Sequence, residues 1–145
     1  MSKLPNTILV IMGITGDLVG KKVAPALFDL YQKGELPEHF RLVGFGRKPF
    51  DRSGIRKFVA DLVLAKFPDA DTEELRAFTG LLDYQQGLFE EAASYERLKT
   101  HLAEVENPWG EANKLFYLAV PPEIYRGIFQ QFQAVQRVFE DDRII

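Results

Sequence analysis

Thr7 to Met12 is an unbroken run of apolar and β-branched residues that ends at Gly13. Such a run without alternation predicts a strand covered on both faces, as in a parallel sheet. Beyond the turn, Leu18, Ala24, Leu27, Phe28 and Leu30-Tyr31 recur at three- and four-residue spacings and predict an amphipathic helix. Pro25 falls inside that pattern, so a kink or an altered first turn is expected there. Gly34 is placed as a left-handed C-cap. Arg41 to Gly46 reads as a second strand, and residues 53–67 repeat the helical pattern, with Ser53 as N-cap and Pro68 beyond the end. A shorter helix over 71–79, a strand from Leu81 to Gln86 and a helix from Ser94 to Glu106 follow, the last with Tyr95, Leu98, Leu102 and Val105 on one face. Leu115 to Val120 is another buried strand, and Pro121-Pro122 opens a helix through Ile124, Tyr125, Ile128, Phe129 and Phe132. Arg143-Ile144-Ile145 reads as the start of one more strand.

Strands alternating with helices at this spacing predict βαβ units. The fold class expected is therefore α/β: a Rossmann-like, doubly wound, mainly parallel sheet forming a single domain over residues 1–145. In such sheets a ligand crevice lies outside the carboxyl ends of the strands, where strand order reverses. Gly13 stands at the carboxyl end of the first strand.

Composition narrows the chemistry. The chain has no Cys among its 145 residues, which excludes a disulfide scaffold, thiolate metal sites and Cys nucleophiles, and leaves His39 and His101 as the imidazoles. His39 lies in a polar turn and His101 in a charged helix, so both are expected at the surface, and no metal set is expected. Glu140-Asp141-Asp142 reads as a solvated turn. No apolar run approaches the roughly 18 residues of a membrane span, and the opening residues lack the layout of a secretory signal, so the default expectation is cytoplasmic. Residues 1–70 carry 11 Lys/Arg against 7 Asp/Glu and residues 71–145 carry 7 against 14. An excess of +4 in the first half is too small for a nucleic acid, but it suits one small phosphorylated ligand.

A glycine turn between a buried strand and a helix lets backbone approach a pyrophosphate, and the helix N-terminus adds free N–H groups and partial positive charge. Gly13-x-x-Gly16 occupies that position; a bare connecting turn is the alternative. The third small position of the dinucleotide pattern holds Val19, with Gly20 beside it. At the end of the second strand a site for NAD usually carries a carboxylate for the ribose 2′-OH, and one for NADP an arginine. Here the tip reads Gly44-Phe45-Gly46-Arg47-Lys48. Arg47 is thus either a clamp for a 2′-phosphate or part of a solvated basic turn. Asp17 is a helix cap or a cofactor contact, and Lys21 and Lys22 oppose the helix dipole unless a phosphate compensates them. Tyr125 is a core residue or packs on the cofactor.

These residues resemble the N-terminal signature of the glucose-6-phosphate dehydrogenase family. The likeness runs through Ile8 to Pro25, including Gly13-Ile14-Thr15-Gly16-Asp17-Leu18 and Lys21-Lys22, then Tyr31-x-x-Gly34-x-Leu36-Pro37 and Leu42 to Arg47. It continues through Ala93-Ser94-Tyr95-Glu96-Arg97-Leu98 and Asn113 to Pro122, in the family's order and over nearly the whole chain. The resemblance implies an NADP-binding domain followed, in the complete enzyme, by a larger α+β domain. It implies hydride transfer from C1 of glucose 6-phosphate to NADP, at the entry to the oxidative pentose phosphate pathway. Carried over by position, Gly13, Ile14, Thr15, Gly16, Asp17, Leu18, Val19 and Gly20 form the phosphate loop, and Arg47 clamps the 2′-phosphate. Tyr125 and the backbone around Leu88, Phe89, Pro121 and Pro122 contact the cofactor, and Lys22 reaches toward the sugar phosphate.

The chain departs from the family at Gly20, Ala24 and the segment around Leu88. The family's base histidine belongs to a block expected beyond Ile145, so no catalytic residue is assigned within the chain. The expectation is a cofactor-binding part, truncated before the catalytic segments, that binds NADP without catalysis. Self-association through the Phe-rich 128–139 helix or the terminal strand, and a homo-oligomeric whole enzyme, belong to the same expectation. A stand-alone, non-catalytic nucleotide-binding or interaction module is the alternative, with the Rossmann-like domain of another oxidoreductase ranked below it.

Overall fold

The computed structural model describes residues 4–17, 19–134 and 143–144. Among the described residues, five strands form one parallel sheet: β1 (Thr7–Met12), β2 (Phe40–Gly46), β3 (Leu82–Gln86), β4 (Asn113–Leu118) and β5 (Arg143–Ile144). Their spatial order is β3-β2-β1-β4-β5, so the order reverses between β1 and β4. That reversal is where such sheets open a crevice. Arg143–Ile144 is indeed a strand, with Leu115 paired to Arg143 and Phe116 to Ile144; Ile145 lies outside the described residues.

Every residue of β1 is buried, as its unbroken apolar run requires. Because successive side chains alternate faces, Leu9 and Ile11 enter one core cluster while Ile8, Val10 and Met12 enter the other. The first cluster is closed by α1 (Ala24–Gln32), α2 (Arg52–Lys66) and α3 (Thr72–Thr79). Phe28 is its fully buried centre, with its ring 5.4 Å from Phe78 and 6.0 Å from Phe67. The second cluster is closed by α4 (Ala92–Glu106) and α5 (Pro122–Ala134), where Phe132 meets Phe116 and Tyr95 edge-on. α4 begins two residues ahead of its expected start, and β4 runs 113–118, which leaves Ala119 and Val120 beyond its end. Among the described residues, no helix is long and apolar enough to cross a membrane.

Local chemistry accounts for the helix ends. A continuous α-helix would drive the Pro25 ring into the carbonyl four residues back. The chain instead takes a wide π turn over Val19–Val23, and α1 proper starts at Ala24 with Pro25 in its first turn. This is the altered first turn the sequence predicts. Gly34 adopts φ +69° just past α1, and the Gly34 and Glu35 amides return to the Tyr31 and Leu30 carbonyls. For α2 the sequence reading needs correction: the cap is Asp51, whose carboxylate accepts the Gly54 amide at 2.6 Å, and Ser53 already lies inside the helix. Asp51 is the acceptor because it has the extended backbone, ψ 178°, that aims a side chain back at the third amide.

His101 also departs from expectation. Its charged helix neighbours assign it to solvent, yet its side chain is only 20% exposed; Nδ1 lies 3.1 Å from Gln85 Oε1 and Nε2 3.4 Å from Asp83 Oδ2. His39 is exposed as expected and stacks on Trp109, with ring centroids 5.5 Å apart. Glu140-Asp141-Asp142 and the later half of the 128–139 segment lie outside the described residues.

Candidate dinucleotide site

The carboxyl ends of β1, β2 and β4 converge on an open cleft of about 390 Å³. Gly13, Thr15 and Gly16 form its floor, Arg47 and Lys48 one rim, Leu88 and Phe89 another, and Ala119, Val120 and Pro121 the wall after β4. Gly13 is held at φ +87°, and its amide donates to the Phe45 carbonyl at 2.8 Å. A Cβ there would lie 2.6 Å from Val120 Cγ1 and 2.7 Å from the Ala119 oxygen, so the turn sits flush against the β4 exit. Neither the Ile14 nor the Thr15 amide has a hydrogen-bond partner among the described residues. Orphan amides beside a tight glycine turn, faced by a basic rim, fit an anionic diphosphate.

The remaining site candidates fall into three groups. Ile14 and Val19 are buried, and Ile14 packs over Gly44, so their side chains shape the loop from beneath. Asp17 and Lys22 are exposed beside the turn and outside the described lining of the cleft. Pro122 is exposed at the start of α5, while Tyr125 is half-buried against the α4–α5 core, one residue past Ile124 in the cleft wall. Gly20 lies within the π turn, and Leu18 is outside the described residues. Arg47 is exposed and also borders a second recess of about 580 Å³, which runs past Gln86 and Leu88 to Ser94 and Arg97.

The wall at residues 87–89 rests on a network that sequence reading missed. Gly87 N–H donates to the Gly46 carbonyl at 2.8 Å, Leu88 N–H to Ser94 Oγ at 2.9 Å, and Tyr95 OH to the Phe89 carbonyl at 2.8 Å. Ser94, fully buried, also donates to Glu91 at 2.6 Å and receives Arg97 at 3.0 Å. Hydrogen bonds from Ser94 and Arg97 hold the Glu91 carboxyl below its ordinary value. Burial, reinforced by the Glu90 charge, pushes the Tyr95 phenol up, so it stays a donor. The available signal was Ser94 itself, a hydroxyl one helical turn before Leu98 on a stripe otherwise apolar.

Replacing Ser94 by alanine leaves the Leu88 amide without its acceptor. It is expected to lower stability by about 1 kcal/mol, the net worth of a part-buried hydrogen bond, and to speed hydrogen exchange at Leu88. Urea denaturation with exchange mass spectrometry checks this; an unchanged midpoint and unchanged Leu88 protection would show that the wall stands without Ser94.

Parallel strand order, a glycine turn at the switch point and a basic second-strand tip define a nicotinamide-dinucleotide-binding domain of the Rossmann type. Residues 10–145 match the family model described as "Glucose-6-phosphate dehydrogenase, NAD binding domain", and the chain belongs to that family. It is 34% identical over 129 residues to glucose-6-phosphate 1-dehydrogenase of Emericella nidulans, covering 88% of this chain and 25% of that protein. With the Chlamydia muridarum protein of the same name it shares 32% identity over 141 residues, 94% of this chain and 28% of the relative. A solved structure titled "Glucose-6-phosphate dehydrogenase in complex with its substrate glucose-6-phosphate" superposes with TM-score 0.81 at 29% identity, over 92% of this chain and 28% of that one. The Mycobacterium avium enzyme superposes with TM-score 0.83 at 25% identity, over 97% and 29%. The chain thus spans about a quarter of the length of the relatives it matches.

Proposed function

We propose that this chain is the NADP-binding part of a glucose-6-phosphate dehydrogenase. The whole protein would oxidise D-glucose 6-phosphate to 6-phospho-D-glucono-1,5-lactone, as a homo-oligomer in the cytoplasm. The observation that carries the choice of NADP is the Arg47-Lys48 rim, which ends β2 and lines the same cleft as the Gly13–Gly16 turn. A carboxylate at that tip would repel a 2′-phosphate, whereas the Arg47 fork can meet it with two parallel hydrogen bonds.

A nicotinamide nucleotide held in this cleft would supply the hydride acceptor for oxidation at the sugar C1. The residues of this chain bind and orient. The turn amides at Ile14 and Thr15 would donate to diphosphate oxygens, and Arg47 would donate to the 2′-phosphate while Lys48 adds field. Leu88, Phe89 and Pro121 line the cleft, and Pro122 and Tyr125 are the neighbouring residues assigned to the cofactor. Lys22, exposed on the π turn, is the residue assigned to the sugar phosphate. The reading as a stand-alone module is not favoured, because the relatives matched along nearly all of this chain bear the name of the dehydrogenase.

Calorimetric titration with NADP⁺ and NAD⁺ at low salt tests the proposal. The expected result is a preference for NADP⁺ that Arg47→Ala removes, a loss of about 10- to 100-fold for a charge-assisted pair. Equal affinity for the two nucleotides in the unaltered chain would overturn the NADP assignment.

A further inference from the structure

The backbone ladder between β2 and β3 stops at the pair Gly46 and Gln86, so Arg47 and Lys48 lie beyond it. Side chains of β3 continue it. Tyr84 OH donates to the Lys48 carbonyl at 2.6 Å, and Gln86 Nε2 donates to the Arg47 carbonyl at 3.0 Å. The two residues are two apart on one strand and therefore share a face. The Tyr84 ring is fixed edge-on against Phe50 at 5.4 Å, and Phe50 N–H bonds the same Lys48 carbonyl at 3.1 Å. Both carbonyls of the basic tip are thus held by donors from the sheet's edge strand.

We infer that Tyr84 and Gln86 are specificity-determining positioning residues, which hold the Arg47-Lys48 backbone where its side chains can meet a 2′-phosphate. The inference rests on the proposed NADP site. Its physical basis is preorganisation: a guanidinium fork recognises a phosphate through fixed geometry, and a tip already anchored loses less freedom on binding. Burial pushes the Tyr84 phenol up to about 12, so it remains a donor throughout the neutral range. A nucleotide without the 2′-phosphate does not engage the tip in this way, so the anchors act on the difference between the two nucleotides.

The test compares NADP⁺ and NAD⁺ binding to the 145-residue chain, to Tyr84→Phe, to Gln86→Ala, to the double variant and to Arg47→Ala, with melting temperatures for each. Gln86 is exposed and Tyr84→Phe keeps the ring contact with Phe50, so both variants are expected to fold. The expected result is NADP⁺ binding about 3- to 10-fold weaker for each single variant, as for loss of one hydrogen bond. The double variant loses more, and NAD⁺ binding stays within about 2-fold. A merely structural role would weaken both nucleotides together or lower the melting temperature without changing their ratio; either result overturns the inference. If Arg47→Ala abolishes the preference while the double variant keeps it, the inference falls and the NADP site stands. If Arg47→Ala leaves the preference intact, the site reading falls and the inference with it.

Discussion

Gly13→Ala is expected to destabilise the chain by about 3 kcal/mol and to abolish dinucleotide binding. Two costs combine. An L side chain at φ +87° carries strain of about 1–2 kcal/mol. The methyl would also sit 2.6 Å from Val120 Cγ1 and 2.7 Å from the Ala119 oxygen, and the second of these is backbone that cannot rotate away. Overpacking of that kind typically costs a further 1–3 kcal/mol. Relief requires the turn to lift off the β4 exit, which breaks the floor of the cleft and misaims the Ile14 and Thr15 amides. Gly34→Ala separates the two costs, because Gly34 has φ +69° but open space around it. It should lose only the conformational part and bind nucleotide normally. Thermal denaturation with NADP⁺ titration checks both variants; equal losses in the two, or Gly13→Ala binding at full affinity, would refute this account of the turn.

Asp83→Asn is expected to cost about 2–3 kcal/mol at pH 7 and much less in acid. Asp83 is 7% exposed on the edge strand. Its Oδ1 lies 3.6 Å from Arg52 Nε and 3.9 Å from Arg41, and its Oδ2 lies 3.4 Å from His101 Nε2. Burial opposes ionisation, but the His101 hydrogen bond and the Arg41, His101 and Arg52 charges outweigh it and hold the carboxyl below its ordinary value. Removing one member of a buried pair leaves the others uncompensated, an effect of several kcal/mol for a fully buried pair. The figure here is smaller because the Arg52 side chain is 69% exposed and Oδ1 meets the two arginines at ion-pair distance without a hydrogen bond.

The sign of the pH dependence follows from the lowered value. The stabilisation is complete above the unfolded-state value, about pH 4, and is lost as the pH falls through the lower folded-state value. The gap between the two proteins should therefore shrink on acidification. Urea denaturation at neutral pH and near pH 3 measures it; a gap as wide in acid as at neutrality would show that the charge of Asp83 is not what stabilises the edge.

Both predictions concern residues whose environments were read with unequal success. Gly13 declared itself, because an apolar run ending in glycine ahead of a helical period can be read within a dozen residues. Asp83 did not: its partners come from β2, α2 and α4, and only strand order brings them together.

Local periodicity was enough to determine the alternation of strands and helices, the double coverage of β1, the altered first turn at Pro25 and the basic tip at Arg47. Each of these depends on neighbours a few residues away, where backbone sterics and the 2.0 and 3.6 periods act directly. The tertiary structure alone decided how the cleft is held. Tyr84 and Gln86 reach the Lys48 and Arg47 carbonyls across 36 and 39 residues, through the register that places Gln86 opposite Gly46. The fold likewise buried Ser94 beneath Leu88 and drew His101 from a charged helix to Asp83. A polar side chain's partner is set by which strand lies beside which, and that is settled only when the sheet assembles.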